Sequence, residues 1–399
     1  MRMLAAQDEE TAAHPARFSV VTDPSPSAPP SAAPGPTAAA GGKGRSAVGG
    51  GDGGDGPDRP SSPRRAGAWW RAERLMPRGL HAVAFVPLVA LGLIVAVLAW
   101  KALPAIRYNG LGFFTHTRWS QGNLYAPLVT THGVRHPPEA SYGAVPLVVG
   151  TLVSSAIAVV LALPVAVGTA LIVVEKLPPR LSAAVGFCME VLAGVPSVIY
   201  GLWGFFTLGP FLSRLANAVW ANHLPDVPVL RFFKGPTYGG QGLFTVGVVL
   251  AIMILPIIAA TTRDLLRQVP RANVEGAVAL GMTESEALGT VTLPWVRSGV
   301  IGATMLGLGR ALGETIAVAM VSGSLVGAEP RSLYSSFGTI AATIVNQLDS
   351  ALDDVSGLAT ATLAELALVL LVITLVANVG ARLLVRQVAT TVLPVGRGI

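Results

Sequence analysis

Six apolar runs punctuate the chain, at about 81–103, 144–174, 181–208, 242–262, 298–322 and 357–381. Each has the length to cross a bilayer as an α-helix, since a core of roughly 30 Å takes about 20 residues at about 1.5 Å per residue. The pattern predicts an all-α, polytopic membrane protein with six transmembrane helices. Arg64, Arg65, Arg71, Arg74 and Arg78 precede the first run and place the N-terminus in the cytoplasm. An even number of spans returns the C-terminus to the same side. The assignment puts Lys176, Arg180, Arg263, Arg267, Arg271, Arg297, Arg382, Arg386 and Arg397 inside as well. The loops left outside are longer and carry fewer Lys and Arg residues, as the positive-inside bias requires.

Residues 1–66 break from this pattern. Runs such as SPSAPPSAAPGP and GGGDGGDGPDRP hold too few large apolar side chains to offset the entropy of ordering, so a disordered cytoplasmic tail is expected there, ahead of a transmembrane domain over 67–399. The tail lacks the apolar core of a secretory signal. Its GGKGRS segment, Gly41 to Ser46, does not have the spacing of a phosphate-binding loop.

Composition agrees with a membrane protein. Only 13% of the 399 residues are charged, against about 25% in soluble domains, and mean hydropathy is +0.59. The net charge of +6 does not imply nucleic acid, because the basic residues border the spans and form no stripe with interleaved aromatics. Cys188 lies in an apolar run and reads as a buried packing thiol. His132 and His136 are four apart, but nothing nearby completes the three or four ligands of a zinc site. No nucleophile elbow, histidine-flanked carboxylate pair or cofactor fingerprint is present. No metal, no cofactor and no enzymatic activity of the chain's own are therefore expected.

The polar interruption between the fourth and fifth runs, within 263–297, carries the strongest local signal. VPRANVEGAVALGMTESEALGTVTLP, Val269 to Pro294, predicts a helix over Asn273 to Leu280 stopped at Gly281, then a second over Thr283 to Thr290. Thr283 and Glu286 have the spacing of a capping box. Two short helices joined at a glycine make a knob suited to a partner's cleft, with Gly276 and Ala277 allowing close backbone approach and Pro294 closing the motif.

In the fifth run, GATMLGLGRALGETIAVAMVSG, Arg310 and Glu314 interrupt the apolar sequence. A charge at the centre of a span costs on the order of 2.5–3.5 kcal/mol on insertion scales, so each needs a pair or a function. At i and i+4 they lie on one face and can pair, while Gly309 and Gly313 let a neighbouring helix approach closely. Two readings follow: a self-neutralising salt bridge, or an anion path in which the Arg310 guanidinium offers paired donors and Glu314 competes for them. Glu190 and Glu365 are further intramembrane carboxylates that could pair with Arg310, face a wet cavity or be protonated. Pro164, Pro196 and Pro256 are expected to kink their spans.

The segments YGAVPLVVGTLVSS, EVLAGVPSVIYGLWG and MLGLGRALGETIAV, together with the loop, resemble the permease subunits of phosphate ABC importers of the PstC type. The resemblance covers the chain from about Gly143 onward and the first span. The loop and a related Arg-Ala-x-Gly-Glu-Thr segment also occur in the sister PstA type, but GLGRALGETIAV and SVIYGLWG are closer to PstC. One position departs: Gly276 stands where the family pattern has alanine. The resemblance implies an ABC importer permease fold that moves inorganic phosphate inward, or failing that another oxyanion such as sulfate or molybdate. A membrane scaffold or sensor is the remaining alternative. The implied partners are a second, PstA-like permease, a dimer of PstB-like ATPase subunits, an extracytoplasmic PstS-like phosphate-binding protein and the lipid bilayer, with no nucleic acid. Glu275, Gly276, Ala277, Gly281, Leu293 and Pro294 would then form the ATPase-coupling loop, and Arg310 with Glu314 would lie on the substrate path.

Overall fold

A computed structural model describes residues 66–389, apart from 220–224, 226, 228–230, 324, 329 and 331. The expected disordered tail lies outside the described residues, save for the first residue of α1. The elements run α1 (Ala66–Asn109), β1 (Trp119–Ser120), β2 (Val129–Thr131), β3 (Val134–His136), β4 (Ser141–Tyr142), α2 (Val145–Leu171), α3 (Pro179–Ala193), α4 (Ser197–Trp203) and α5 (Gly209–Val219). They continue with α6 (Leu243–Leu266), α7 (Arg271–Ala279), α8 (Glu284–Ala287), α9 (Leu293–Leu312), α10 (Ile316–Val321), α11 (Ile340–Leu352) and α12 (Leu358–Ala389). Among the described residues, five helices are long and apolar enough to cross a membrane, and a bent pair formed by α3 with α4 and α5 makes a sixth crossing if it is one span.

The centre of the bundle is the α2–α6 pair. On α2, Gly150, Ser154, Ala158, Ala162, Ala166 and Ala170 recur every fourth residue and are all buried. That spacing stacks them into one stripe of small side chains. Leu250, Ile254 and Ile258 of α6, also four apart, are fully buried in the core they share with this stripe. In hydrocarbon no hydrophobic force separates helix from lipid, so close van der Waals approach of this kind is what holds spans together. Gly247 is a point of close approach, because a Cβ there would collide with Ile157. Pro164 and Pro256 lie within α2 and α6, which continue past them.

A second cluster sits at the other end of α2, where Phe113, Tyr142, Leu147, Ile340, Leu358 and Leu366 are buried together. Two small antiparallel pairings, β1 with β4 and β2 with β3, form the connection between α1 and α2 and lend the otherwise helical fold its strands. The backbone N–H of Ile340 donates to Thr151 Oγ1 at 3.0 Å, tying α11 to α2. Asp354, also buried, accepts from the N–H groups of Ser356 and Ala359, both at 2.9 Å, and so starts α12.

Two spans differ from the expected continuous helices. The third breaks at Gly194–Pro196, and the segments on either side meet at 91°. Pro196 supplies no N–H and excludes Val195 from the helical region, so what reads as a kink becomes a complete interruption. The fifth span, expected over 298–322, is a longer helical run, Glu284–Leu312, that ends at Gly313 and resumes only as the short α10. Cys188, expected to be buried, is exposed on α3. Apolarity could not distinguish a core-facing from an outward-facing position on a membrane helix.

Gly247→Leu should overpack the α2–α6 contact and lower the thermal stability of the detergent-solubilised chain, at a cost of about 1–3 kcal/mol. Adding Ile157→Ala should recover much of the loss. A double variant no more stable than Gly247→Leu alone would show that this contact does not set the helix spacing.

Candidate functional site

The loop predicted between the fourth and fifth spans is two short helices that join α6 to α9. Pro270 precedes α7, and the chain reverses at Gly281 with φ of +93°, a conformation that side chains with a Cβ rarely adopt. The capping box forms as expected: Thr283 Oγ1 accepts from the Glu286 N–H at 3.3 Å, and the Glu286 carboxylate accepts from the Thr283 N–H at 2.8 Å and hydroxyl at 2.9 Å. These donors hold the Glu286 carboxyl below the usual carboxylate range.

Beyond the box, α8 does not stop. It passes through a π-helical turn, Leu288–Thr292, into α9, so Leu293 and Pro294 lie within a continuous helical run and do not close the loop. Pro294 fits there because it occupies the first turn of α9, where its missing N–H is least costly.

The two residues expected to meet a partner's cleft divide. Gly276 is exposed, and a Cβ built on it would touch nothing within 4 Å. Ala277 faces inward and is buried, so it packs the loop onto the chain. Around Gly276, Glu275 is exposed, as are Val278 and Leu280. Leu280, at 85% relative exposure, is the most exposed large apolar side chain of the loop. A recess of about 520 Å³ lies against this knob, lined by Glu175, Lys176, Val274, Glu275, Val278 and Leu288 among others. Lys176 Nζ donates to Glu284 at 3.0 Å across it. The pair is exposed on both sides and worth little by itself.

The second region lies where the interrupted spans meet. Gly201 of α4 packs directly on Ala317 of α10; a Cβ there would come within 2.9 Å of the Ala317 Cα and 3.0 Å of the Met320 sulfur. Tyr200, buried, bridges the break in its own span by donating to the Leu192 carbonyl at 2.9 Å.

Arg310 occupies the last turn of α9 and is exposed, whereas Glu314 follows the end of that helix. The expected pairing on one helical face is therefore absent. Among the described residues Arg310 makes no ion pair, and Glu314 instead accepts from the Ala317 N–H at 3.4 Å. Gly313 ends the helix as its cap and removes the shared face. Gly309 has nothing within 4 Å of where a Cβ would be, so the glycine pair receives no helix among the described residues.

The other carboxylates have partners elsewhere. Arg263 of α6, buried, donates to Glu190 at 3.0 Å and to Asp264 at 3.0 Å. Gly186 leaves the space for its guanidinium, which a Cβ would enter. Glu365 accepts from Asn109 at 2.9 Å. His136 is hydrogen-bonded to the Pro137 carbonyl and the Thr131 hydroxyl, both at 2.8 Å, and no cluster of metal-ligating side chains exists among the described residues. Sequence reasoning missed Tyr200, Gly201 and Arg263. The Gly-Val-Pro triplet before Ser197 was the available sign that the third span needs a local tie.

A model of the family of binding-protein-dependent transport system inner membrane components matches residues 162–390. The phosphate transport system permease protein PstC 1 of Mycobacterium tuberculosis is 57% identical over 316 residues, covering 79% of this chain and 94% of that protein. Its counterpart in Mycobacterium bovis matches to the same extent. The phosphate transport system permease protein PstC of Pasteurella multocida is 40% identical over 271 residues, covering 68% of this chain and 83% of that protein.

The inward and outward positions on α7 can be told apart by substitution. Gly276→Leu should leave the melting temperature of the isolated chain within the small range of surface changes, whereas Ala277→Leu should lower it by overpacking. Equal effects would refute the assignment of Gly276 as the free surface. In the capping box, Thr283→Ala should raise amide exchange over 284–287 roughly fivefold, the usual weight of a lost cap. Because the Glu286 carboxyl is held low, its contribution is present above the ordinary carboxylate range and is lost as pH falls through its depressed value. The protection factor over 284–287, with the intrinsic pH dependence of exchange divided out, should therefore fall in acid, and a wild-type profile no more acid-sensitive than that of Glu286→Gln would contradict this.

Proposed function

The chain belongs to the family of binding-protein-dependent transport system inner membrane components, and on that premise we propose that it is a membrane-spanning permease subunit that moves inorganic phosphate inward. The observation that carries the reading is 57% identity, over 79% of the chain, to a protein named as a phosphate permease. ATP hydrolysis takes place in a partner, for which α7 and α8 are the docking knob. Its exposed Glu275, Gly276, Val278 and Leu280 present one charge, one site of close backbone approach and two apolar anchors. Gly281 and the capping box hold that shape.

The knob lies on the cytoplasmic side, with both termini, by the bias of Lys and Arg toward that side. The complete machine contains a second permease, two ATPase subunits and an extracytoplasmic phosphate-binding protein. Arg310 lies on the anion path. An exposed guanidinium without a counter-charge is costly at membrane depth, and a hydrated path shared with the second permease relieves that cost while leaving paired donors for a phosphate. The two broken spans converge beside it, as in transporters whose binding sites are built from discontinuous helices. Glu314, engaged with the Ala317 N–H, shapes the break and leaves the guanidinium unmasked.

Helical continuity from Glu284 to Leu312 supports coupling. That run of 29 residues is about 43 Å long and links the knob to Arg310.

Proteoliposomes containing the assembled system should take up phosphate at the expense of ATP, and sulfate or molybdate in excess should not compete. Arg310→Ala should cut uptake at least about tenfold, the scale of one lost charge-assisted hydrogen bond, without lowering the melting temperature. Unchanged uptake would remove Arg310 from the path, and competition by sulfate or molybdate would reassign the substrate.

A further inference from the structure

Between the start of α7 and the bundle lies a second recess, of about 480 Å³. Arg267 lines it from the end of α6, Arg271 from the first position of α7, Ser182 from α3, and Thr292 from the end of the π-helical turn that leads into α9. Glu175, in the turn after α2, and Glu275 of α7 complete the polar lining. Both carboxylates also border the recess of about 520 Å³ against the knob. They therefore stand in the wall between the two spaces, whereas Arg267, Arg271 and Ser182 line only the second.

The basic residues at this end of the bundle differ in what holds them. Lys176 is paired with Glu284, and Arg263 with Glu190 and Asp264. Arg267 and Arg271 make no ion pair among the described residues; Arg267 reaches only the Ser182 hydroxyl, at 3.4 Å. Thr292 supplies an independent observation. It is 2% exposed, and its hydroxyl makes no hydrogen bond among the described residues. A buried hydroxyl is destabilising unless the space it lines supplies a partner. The positive-inside bias accounts for arginines at the end of α6, but not for a buried and unpaired hydroxyl in the same recess. Two guanidinium groups with two buried hydroxyls form the donor set of an oxyanion site.

We propose that this recess binds one hydrogen phosphate ion from the loop's side of the membrane. Arg267, Arg271 and the Thr292 hydroxyl donate to its oxygens, and the Ser182 hydroxyl, which accepts from Arg267, turns its own proton toward the ion. The P–OH of the ion donates to a carboxylate of the wall, Glu175 or Glu275. Those carboxylates repel an oxyanion that has no proton to give. Sulfate and a phosphodiester, a lipid headgroup included, are therefore excluded, while inorganic phosphate keeps a P–OH near neutral pH. Because the donors come from α3, the end of α6, the start of α7 and the turn before α9, a bound ion ties both ends of the loop to the bundle. Binding involves neither Arg310 nor the broken spans and does not depend on what the chain transports.

The test titrates the purified full chain in detergent with inorganic phosphate at constant ionic strength and reads amide exchange over 267–279. Phosphate should slow exchange there severalfold and saturate, and sulfate or dimethyl phosphate should not. Arg267→Gln with Arg271→Gln should raise the concentration for half-protection at least about tenfold. Thr292→Val, which keeps both charges, should raise it about fivefold, and Thr292→Ser should stay near wild type. Arg297→Gln changes an exposed basic residue outside the recess and should leave it unchanged. No protection by phosphate would leave the recess without this ligand. Equal protection by sulfate or dimethyl phosphate would mean that the carboxylates select nothing. An equal loss with Arg297→Gln would mean diffuse attraction to surface charge, and wild-type binding by Thr292→Val would mean that its hydroxyl meets only water. Any of these four results overturns the proposal.

Discussion

Inside a bilayer no water is available to a backbone N–H or C=O, and each group left without a partner costs several kcal/mol. Every interruption of a span in this chain is therefore a place where the freed groups must be satisfied locally. The first break is well supplied. Gly194 N–H bonds to the carbonyls of Glu190 at 3.3 Å and Val191 at 3.1 Å, Val195 N–H reaches the Leu192 carbonyl at 3.2 Å, and the Tyr200 hydroxyl adds a bond to that same carbonyl. The second break is held more loosely, since the N–H groups of Gly313 and Glu314 and the contact from Ala317 to Glu314 all lie at 3.4 Å. Of the two, the break in the fifth span is the softer, and it adjoins Arg310.

The small-residue stripe of α2 makes both breaks tolerable. By bringing α6 to the centre, where 67% of its apolar window is buried, it provides a rigid helix against which interrupted segments can lean. Arg263 of α6 extends that role through its bonds to Glu190 on α3. One partner of this pair is largely exposed, so its value lies in fixing where the two helices meet more than in stability.

The legibility of these features in the sequence follows the range of the forces involved. Hydropathy located the spans, because length and apolarity suffice for that. The capping box at Thr283 and Glu286 and the turn at Gly281 were legible because each is settled within four residues. The relation of Arg310 to Glu314 was misread, since hydropathy does not register a helix end at Gly313 inside an apolar run. Cys188 was assigned to the wrong side for a related reason. On a membrane helix both surfaces are apolar, and on a short loop helix one buried alanine leaves little periodic trace. The partners of Glu190 and Glu365 lie 73 and 256 residues away along the chain, a separation that one sequence cannot bridge.

The helical run from Glu284 to Leu312 joins the two-helix loop directly to the break at Gly313. Along its length the packing leaves little play. Gly299 faces Leu265 without room for a Cβ, and at Gly307 a Cβ would stand 3.0 Å from the Ile258 side chain. A helix gripped at those points moves together with α6 more readily than it slides past it. At the loop end the π-helical turn, Leu288–Thr292, and the exposed ion pair of Lys176 with Glu284 offer the least resistance. At the other end the long hydrogen bonds around Gly313 offer the least. Packing is thus tight through the middle of the run, and the long hydrogen bonds at its Gly313 end lie next to Arg310.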